Sequence, residues 1–374
     1  MVALARRNLF HDRVRLLATL TGIVFSVVLT TVQLGLFIGF MAATANVIAH
    51  AGADLWIKSQ NVGYLEAAVP FPENKRYRVL STPGVADAEK YIAQFGGWKL
   101  PNGAVENVLL IGFNPDGQMG TPWNLTQGRV AALKMADTVM IDELYKRKLG
   151  VTHLRQRVEI RGYRARVVGF TRGIRTFTTA PAVFTSFKNA QNYAGLRLDQ
   201  TLYLLVRAVP GVTPQALKQQ LQARLPDVDV LTMSEWRRMQ VFYWIFGTGA
   251  GITVLIAAIL GFLVGVVVVA QTIYAATIDH LREYGTLKAM GASNRYLYLV
   301  ILKQAAMSGC MGYVVGMAIS LSATMISQQS ATAIIVSWKM AVAMFGVTLG
   351  MCMAASVLSI SKVTRLDPAM VFKG

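Results

Sequence analysis

The sequence predicts a membrane α-helical protein: four transmembrane helices, with a large α+β extracytoplasmic domain inserted between the first and second. Hydrophobic residues make up 54% of the 374 residues and charged residues only 15%, whereas soluble globular proteins carry about 25% charged residues. Long charge-poor runs lie on either side of residues 46–241. That middle segment instead has the prolines, charges and short alternating runs of a folded domain.

The first apolar run, from Leu16 to Ala53, contains no Lys, Arg, Asp or Glu. Since about 20 apolar residues cross a bilayer, it predicts a span over roughly Leu16–Ala43. A signal peptide is the alternative, because Ala43-Thr44-Ala45 resembles a cleavage site, but the run exceeds a signal h-region of about 7–15 residues. We keep it as a span and place the first segment at residues 1–45.

The basic residues 1–15 precede this span. Phe10, Val14 and Leu17 fall on one helical face, which favours a short amphipathic helix on the cytoplasmic membrane surface. A disordered basic leader is the alternative, because such short helices are marginal alone.

Residues 46–241 are long enough for a packed core, and the turn-rich, basic stretch 128–185 indicates two lobes. Strands and helices mix without strict βαβ alternation, which favours α+β over a doubly wound sheet. The predicted strands are Asp54–Ser59, Val105–Phe113, Thr138–Ile141, Tyr163–Phe170, Ala182–Thr185, Thr201–Val206 and Val228–Leu231. The predicted helices are Glu143–Leu149, Phe187–Ala194 and Pro214–Arg224, the last with a Thr213 N-cap and Pro at N1.

Residues 242–374 hold the remaining spans. Met239–Ile278 carries no formal charge and, at about 60 Å if helical, predicts a continuous rod that projects from the membrane. The rod starts at Ser234-Glu235, and Trp236, Tyr243 and Trp244 suggest an interfacial aromatic belt at its outer end. The third span falls within Gln304–Trp338, broken by polar residues at 327–330, and the fourth is Met340–Ile360 after an interfacial Trp338-Lys339 pair.

Orientation follows from the short flanking segments. The N-terminal segment, the central loop at 279–296 and the C-terminal tail are basic, whereas residues 327–337 have no Lys or Arg. The positive-inside rule places both termini and the loop in the cytoplasm of an inner (cytoplasmic) membrane, and residues 46–241 in the periplasm.

We therefore attribute the net charge of +18 to basic residues that anchor the spans at the lipid surface. The sequence has no basic run interleaved with aromatic residues, the pattern that would indicate nucleic-acid binding. Cys310 and Cys352 lie in apolar runs, and the four histidines stand far apart in sequence. This spacing predicts neither a disulfide framework nor a metal site. A Walker A motif, a nucleophile elbow and HExxH are all missing from the sequence, so we expect no catalytic residues and no cofactor bound by this chain.

Each span contains a GxxxG pair, which lets helix backbones approach closely in lipid. Four such pairs favour a compact bundle, with packing inside one chain and homodimer contacts both open. The predicted helix-packing residues are Gly35, Gly39, Gly261, Gly265, Gly312, Gly316, Gly346 and Gly350.

The central loop, DHLREYGTLKAMGASNRY, has a helical pattern between two spans. Its apolar and basic residues recur at helical spacing, Gly291 is placed to end the helix and Ser293 to cap the next one. Glu283 is an isolated acid among bases, suited to a basic residue on a partner. A solvated connecting loop is the competing interpretation.

LREYGTLKAMGASNRYL resembles the signature loop of the MacB/FtsX-type (type VII) permeases of ABC transporters. The start, ARRNLFHDRVRLLATLTGIVFSVVL, and the ending, SKVTRLDPAMVFKG, are similar to that family's first span and closing segment. Within the family, ADLWI, LLIGFNP and TPWNLTQG most resemble the DevC-like exporter permeases.

The resemblance implies two permease chains, as a homodimer, and two copies of a separate cytoplasmic ABC ATPase that carries ATP and Mg. It also implies a periplasmic adaptor, an outer-membrane channel, and mechanotransmission through long stalk helices. The loop would be a coupling helix that docks on the ATPase. The residues it assigns to coupling are Leu281, Arg282, Glu283, Tyr284, Gly285, Leu287, Lys288, Met290 and Gly291.

Three functions remain open from the sequence. The first is an exporter moving a hydrophobic or amphiphilic substrate such as a lipid or glycolipid, haem, drug or peptide. The second is a non-transporting FtsX-like signalling permease that activates an extracytoplasmic enzyme. The third is a membrane-anchored binding protein without an ATPase.

Overall fold

The computed structural model describes residues 13–279, 286, 288, 290, 292–330 and 333–364. The predicted helix before Arg13 and the tail after Thr364 lie outside these residues. The helices are α1 (Arg13–Thr44), α2 (Asn46–His50), α3 (Lys75–Leu80), α4 (Phe187–Ala194), α5 (Pro214–Arg224), α6 (Met233–Phe242), α7 (Ala250–Asp279), α8 (Asn294–Ser327) and α9 (Trp338–Thr364).

Four of these helices are long and apolar enough to cross a membrane, counting only the described part of the chain. Their candidate spans are Leu16–Thr44 in α1, Ala250–Ala275 in α7, Asn294–Ser327 in α8 and Trp338–Val357 in α9. The predicted number of spans and the position of the sheet-rich domain between the first two are confirmed.

The inserted domain is built on strands that run from Leu55 to Thr232. They are β1 (Leu55–Ser59), β2 (Phe71–Pro72), β3 (Val85–Lys99), β4 (Val105–Phe113), β5 (Leu125–Gln127), β6 (Thr138–Asp142), β7 (Arg157–Ile160), β8 (Tyr163–Thr171), β9 (Ala182–Ser186), β10 (Gln200–Thr201), β11 (Tyr203–Ala208) and β12 (Val228–Thr232).

One sheet runs through the whole inserted domain in the order β12-β1-β11-β3-β4-β9-β6-β8-β5, and β7 pairs with both β3 and β8. The β4/β9 and β6/β8 pairs are parallel. Long β3 joins the two halves because it pairs with β11 through its first part and with β4 through its second. The sheet therefore links both ends of the domain through continuous backbone hydrogen bonds.

Three clusters of buried apolar side chains cover the faces of this sheet. The largest contains Trp56, Tyr91, Phe184 and Trp236. A second gathers Trp98, Val139 and Tyr193, and a third lies under α5 and includes Leu217. The described chain divides into two compact units, with Phe40–Gly251 and the described part of the 328–332 connection forming one and the membrane helices the other.

Local signals predicted most strands and two helices well. Thr213 caps α5 with Pro214 at N1, as expected. The prediction missed β3, whose sequence VADAEKYIAQFGGWK mixes charges and glycines, because pairing on both sides rather than local pattern makes it a strand. The helix predicted at Glu143–Leu149 is only a 3₁₀ turn over Glu143–Tyr145.

The prediction of a continuous rod from Met239 to Ile278 is wrong. Helix α6 ends at Phe242, a π-helical turn covers Tyr243–Gly247, and α7 begins only at Ala250. Gly249 adopts φ +72°, in the left-handed region that glycine tolerates and that a regular helix does not use. The glycines of Gly247-Thr248-Gly249 thus interrupt the helix.

The assignment of Trp236 to an interfacial belt is also wrong, since its side chain is fully buried. The helix starts one residue earlier than expected, at Met233. Its first turn directs Trp236 onto the sheet, where its ring lies 6.3 Å from that of Tyr203.

Candidate functional site

Helix α6 begins in a tight cap at the end of the sheet. Thr232 and Glu235 form a capping box, in which the Glu235 N–H donates to Thr232 Oγ1 and the Thr232 N–H to Glu235 Oε2 at 2.9 Å. Lys218 of α5 donates to the same carboxylate at 2.8 Å. Burial alone would raise the Glu235 pKa, but these hydrogen bonds outweigh it and lower the pKa to about 2. The helix start is therefore held by charge as well as by packing.

One face of α6 is buried in the inserted domain. Gln240 lies one turn after Trp236, is fully buried, and accepts a hydrogen bond from the Leu65 N–H at 2.7 Å. Its amide donates to Glu66 at 3.3 Å, whose pKa is raised because burial disfavours the charged form. Packing and hydrogen bonds together fasten α6 to the core.

Aromatic rings continue this contact through the π-helical turn. Tyr243 stacks on Tyr64 with ring centroids 4.3 Å apart and an interplanar angle of 14°. Trp244 lies 4.6 Å from Phe177. A π-helical turn shifts the side chains that follow it and is frequent at functional sites, so here it brings two successive rings into contact with the domain.

The loop 172–181, between β8 and β9, joins several elements at one place. Phe177 contacts Trp244 and also packs edge-to-face on Phe40 of α1 at 4.4 Å. Arg175 donates to the carbonyls of Gln328 and Ser330 at 2.5 and 3.0 Å. The side-chain amide of Asn46 donates to the Arg175 carbonyl at 3.0 Å.

Asp142 holds the base of this loop. Its buried carboxylate accepts hydrogen bonds from the Ile174 N–H at 2.8 Å and from Thr171 at 3.0 Å. We call Phe40, Arg175, Phe177 and Trp244 the junction. The chain leaving α1, the chain entering α7 and the connection between α8 and α9 all meet there.

The GxxxG pairs of α1, α7 and α8 lie against neighbouring segments of this same chain. A Cβ on Gly39 would lie 1.9 Å from the Ala333 carbonyl oxygen, and the Ile335 N–H donates to the Gly35 carbonyl at 3.1 Å. Gly261 and Gly265 face Gln33 and Ser26 of α1, while Gly312 and Gly316 face Ile23 and Val27. Beside Gly346 and Gly350 of α9, a Cβ would meet no described atom within 4 Å.

Most of the predicted coupling residues lie outside the described residues: Leu281, Arg282, Glu283, Tyr284, Gly285, Leu287 and Gly291. Thr286 and Lys288 are helical, and the Met290 N–H donates to the Thr286 carbonyl at 3.0 Å. Met290 is 71% exposed. Ser293 caps α8 as predicted, with its Oγ accepting from the Tyr296 N–H at 3.3 Å.

Comparison with known families decides the class of the protein. A family model described as MacB-like periplasmic core domain matches residues 16–224, and one described as FtsX-like permease C-terminal matches residues 255–368. The chain belongs to the MacB/FtsX-type permeases of ABC transporters. The predicted family is confirmed.

The similar proteins are also described as ABC transporter permeases. The permease is 25% identical over 377 residues to an uncharacterised ABC transporter permease of Mycobacterium tuberculosis, with 100% of each chain covered. It is 23% identical to a permease of Mycobacterium bovis, over 95% of this chain and 93% of the other. An ABC transporter permease works with an ATPase partner.

Two solved structures are similar to the inserted domain. The periplasmic region of MacB from Actinobacillus actinomycetemcomitans covers 52% of the permease and 94% of its own chain, with 12% identity and a TM-score of 0.40. The extracellular domain of the transporter YknZ from Gram-positive bacteria covers 48% and 99%, with 13% identity and a TM-score of 0.37.

The junction of the permease was missed by sequence reasoning. Its loop, residues 172–181, reads RGIRTFTTAP, and the local signal is two arginines and a phenylalanine among mostly small residues. The contacts of these residues are visible only in the fold. There, Phe177 contacts both Phe40 and Trp244, which are about 200 positions apart in the chain. Within the described chain, no His, Cys, Asp or Glu cluster fits a metal ion.

Proposed function

We propose that the permease is the non-catalytic membrane subunit of an ATP-driven exporter that works by mechanotransmission. Two copies would pair with two copies of a cytoplasmic ATPase, which binds ATP and Mg. A periplasmic adaptor and an outer-membrane channel would complete the path, as in the DevC-like exporters that the sequence resembles. The substrate class is hydrophobic or amphiphilic.

The junction is the observation that supports this proposal. In mechanotransmission, a membrane helix moves the domain outside the membrane. The end of that helix must be firmly attached to the domain, because a loosely attached helix would move without moving the domain. Trp236 and Gln240 fasten α6 to the core, and Phe177 contacts both Phe40 and Trp244. Movement of the chain that leaves α1, or of the chain that enters α7, would thus reach the same loop.

The coupling loop provides the functional test. The double variant Glu283→Arg with Gly291→Leu reverses the charge of the predicted partner-facing acid and removes the glycine predicted to end the coupling helix. It is expected to abolish stimulation of the ATPase by the permease. The measurement is ATP hydrolysis by the reconstituted complex in nanodiscs. Gln329→Ala, in the connection between α8 and α9, is the control and should keep full stimulation.

Unchanged stimulation in the double variant would contradict a coupling role for residues 279–291. An affinity purification from native membranes separates the two ATP-driven functions. Recovery of a periplasmic adaptor supports export, whereas recovery of a cell-wall hydrolase supports the FtsX-like signalling alternative.

Orientation gives a second prediction. A cysteine at Ser81, an exposed residue of the inserted domain, should react with a membrane-impermeant maleimide in spheroplasts, because this domain is placed in the periplasm. A cysteine at Asn294, the first residue of α8, should react only after permeabilisation. The parent is Cys310→Ser with Cys352→Ser. Labelling of Asn294→Cys alone in intact spheroplasts would reverse the proposed topology of an inner-membrane protein with cytoplasmic termini.

A further inference from the structure

The inserted domain contains a cavity of about 740 Å³ between α3, β3, the turn after β4 and α4. This volume falls within the range of about 300–1,000 Å³ typical of small-molecule sites. The cavity is lined by four basic side chains, Arg76, Lys90, Lys134 and Lys188, and by three acidic ones, Glu89, Asp116 and Asp137. It lies wholly within the inserted domain and shares no residue with the junction.

Two of the four cations are already neutralised. Lys134 pairs with Asp116, and Lys90 pairs with Glu73 at 2.8 Å while lying over the Phe187 ring. Arg76 and Lys188 make no ion pair within the described chain. Arg76 donates through Nε to the Ala88 carbonyl at 2.5 Å, which leaves its two terminal nitrogens without a described partner. They are the donors that bind carboxylate and phosphate groups in a bidentate manner.

Glu89 is the unusual wall residue. Its side chain is 4% exposed, and its buried Oε2 has no hydrogen-bond partner among the described residues. The turn after β4 packs directly against this carboxyl group. A Cβ added at Gly117 would lie 1.7 Å from Oε1 of Glu89. A buried polar atom without a partner needs an explanation such as a bound water, an ion or a ligand.

The charge of Glu89 depends on its surroundings. Burial and the neighbouring carboxylate of Asp87 raise the pKa of Glu89 to about 7. Hydrogen bonds from the backbone N–H groups of Met119 and Gln118 and the charge of Arg76 act in the opposite direction, but they are weaker. Near neutral pH the carboxyl is therefore about half protonated. When it is neutral, the uncompensated charge in the cavity is positive, because Arg76 and Lys188 then face only Asp137.

We propose that this cavity binds a small organic anion with a carboxylate or phosphate group, held by the guanidinium of Arg76 and the ammonium of Lys188. Glu89 takes up a proton from solvent as the anion enters, since an anion beside Arg76 disfavours a second negative charge there. The proposal concerns the inserted domain alone and holds whether the permease exports or signals.

The test measures binding to the full-length permease in nanodiscs by isothermal titration calorimetry at pH 6 and pH 8. Three probes distinguish the sources of the anion: inorganic phosphate, benzoate, and short-chain dihexanoyl phosphatidylglycerol below its micellar concentration. The last two keep a constant charge over this range. We expect at least one of the three probes to bind saturably. For benzoate or the lipid, the affinity should be about tenfold higher at pH 6 than at pH 8, because the protonated fraction of Glu89 falls from roughly nine-tenths at pH 6 to one-tenth at pH 8.

Variants assign the effect to named groups. Glu89→Gln, a permanent mimic of the neutral acid, should bind at pH 8 as tightly as the wild type at pH 6 and lose the pH dependence. Arg76→Gln should weaken binding at least tenfold at both pH values. Arg78→Gln, on the same helix but outside the cavity and bonded to the Arg224 carbonyl, should bind like the wild type.

The thermal melting temperature of each variant shows that the domain remains folded. Binding confined to benzoate indicates a carboxylate ligand, and binding confined to the phosphate probes indicates a phosphate or lipid headgroup. No saturable binding of any probe, or binding that survives Arg76→Gln, overturns the site. Binding of the wild type without pH dependence overturns the role of Glu89.

Discussion

Replacing Trp236 with alanine is expected to lower the free energy of unfolding of the inserted domain by about 3–5 kcal/mol, the range for large buried aromatics. The ring is fully buried in the largest core cluster. It lies 5.4 Å below the ammonium of Lys58, which pairs with Asp229 at 2.6 Å. Its loss leaves a cavity where α6 joins the sheet, so ATPase stimulation in the reconstituted complex should fall as well.

The measurement is thermal and chemical unfolding of the purified permease. Phe242→Ala supplies a matched control, because Phe242 ends the same helix but is 63% exposed. We expect its effect to stay within about 0.5 kcal/mol, as for most surface substitutions. Equal loss of stability in the two variants would refute the anchoring role of the buried face of α6.

Gly39→Ala is expected to destabilise the membrane helices by about 2–3 kcal/mol, near the upper end for overpacking. The added Cβ would meet the Ala333 carbonyl oxygen, a backbone atom. Backbone cannot move aside as the tip of a flexible side chain does. The neighbouring hydrogen bond from the Ile335 N–H to the Gly35 carbonyl would be disturbed too.

Gly346→Ala is the comparison for this change, since a Cβ there meets nothing within 4 Å in the described chain. Alanine favours a helix over glycine by about 1 kcal/mol, so the melting temperature should stay constant or rise. If Gly39→Ala melted at the same temperature as Gly346→Ala, the close approach of α1 and the 333–336 segment would play no part in stability.

Both predictions depend on contacts that local patterns do not encode. The GxxxG pairs of α1 and α9 are identical in spacing, yet only the α1 pair has a neighbour within the described chain. Likewise, Trp236 has the sequence context of an interfacial aromatic. It is buried because the Thr232–Glu235 cap sets the direction in which α6 leaves β12.

The sequence by itself determined the class of the protein. Long charge-free runs are sufficient to identify spans, because a charged side chain near the centre of the bilayer is costly. Alternation and turn residues located β4, β6, β8, β9 and β12 to within a residue or two. The central loop and the two ends carried the family resemblance, which the family models confirm.

Only the tertiary structure decided how these parts are connected. Strand β3 exists because β11 and β4 pair with it, and the helix after Phe242 breaks where Gly249 takes a left-handed conformation. Phe40, Phe177 and Trp244 become neighbours only when the compact unit that contains all three is folded. The physical reason is that hydropathy and propensity act over a few residues, whereas packing partners come from distant parts of the chain.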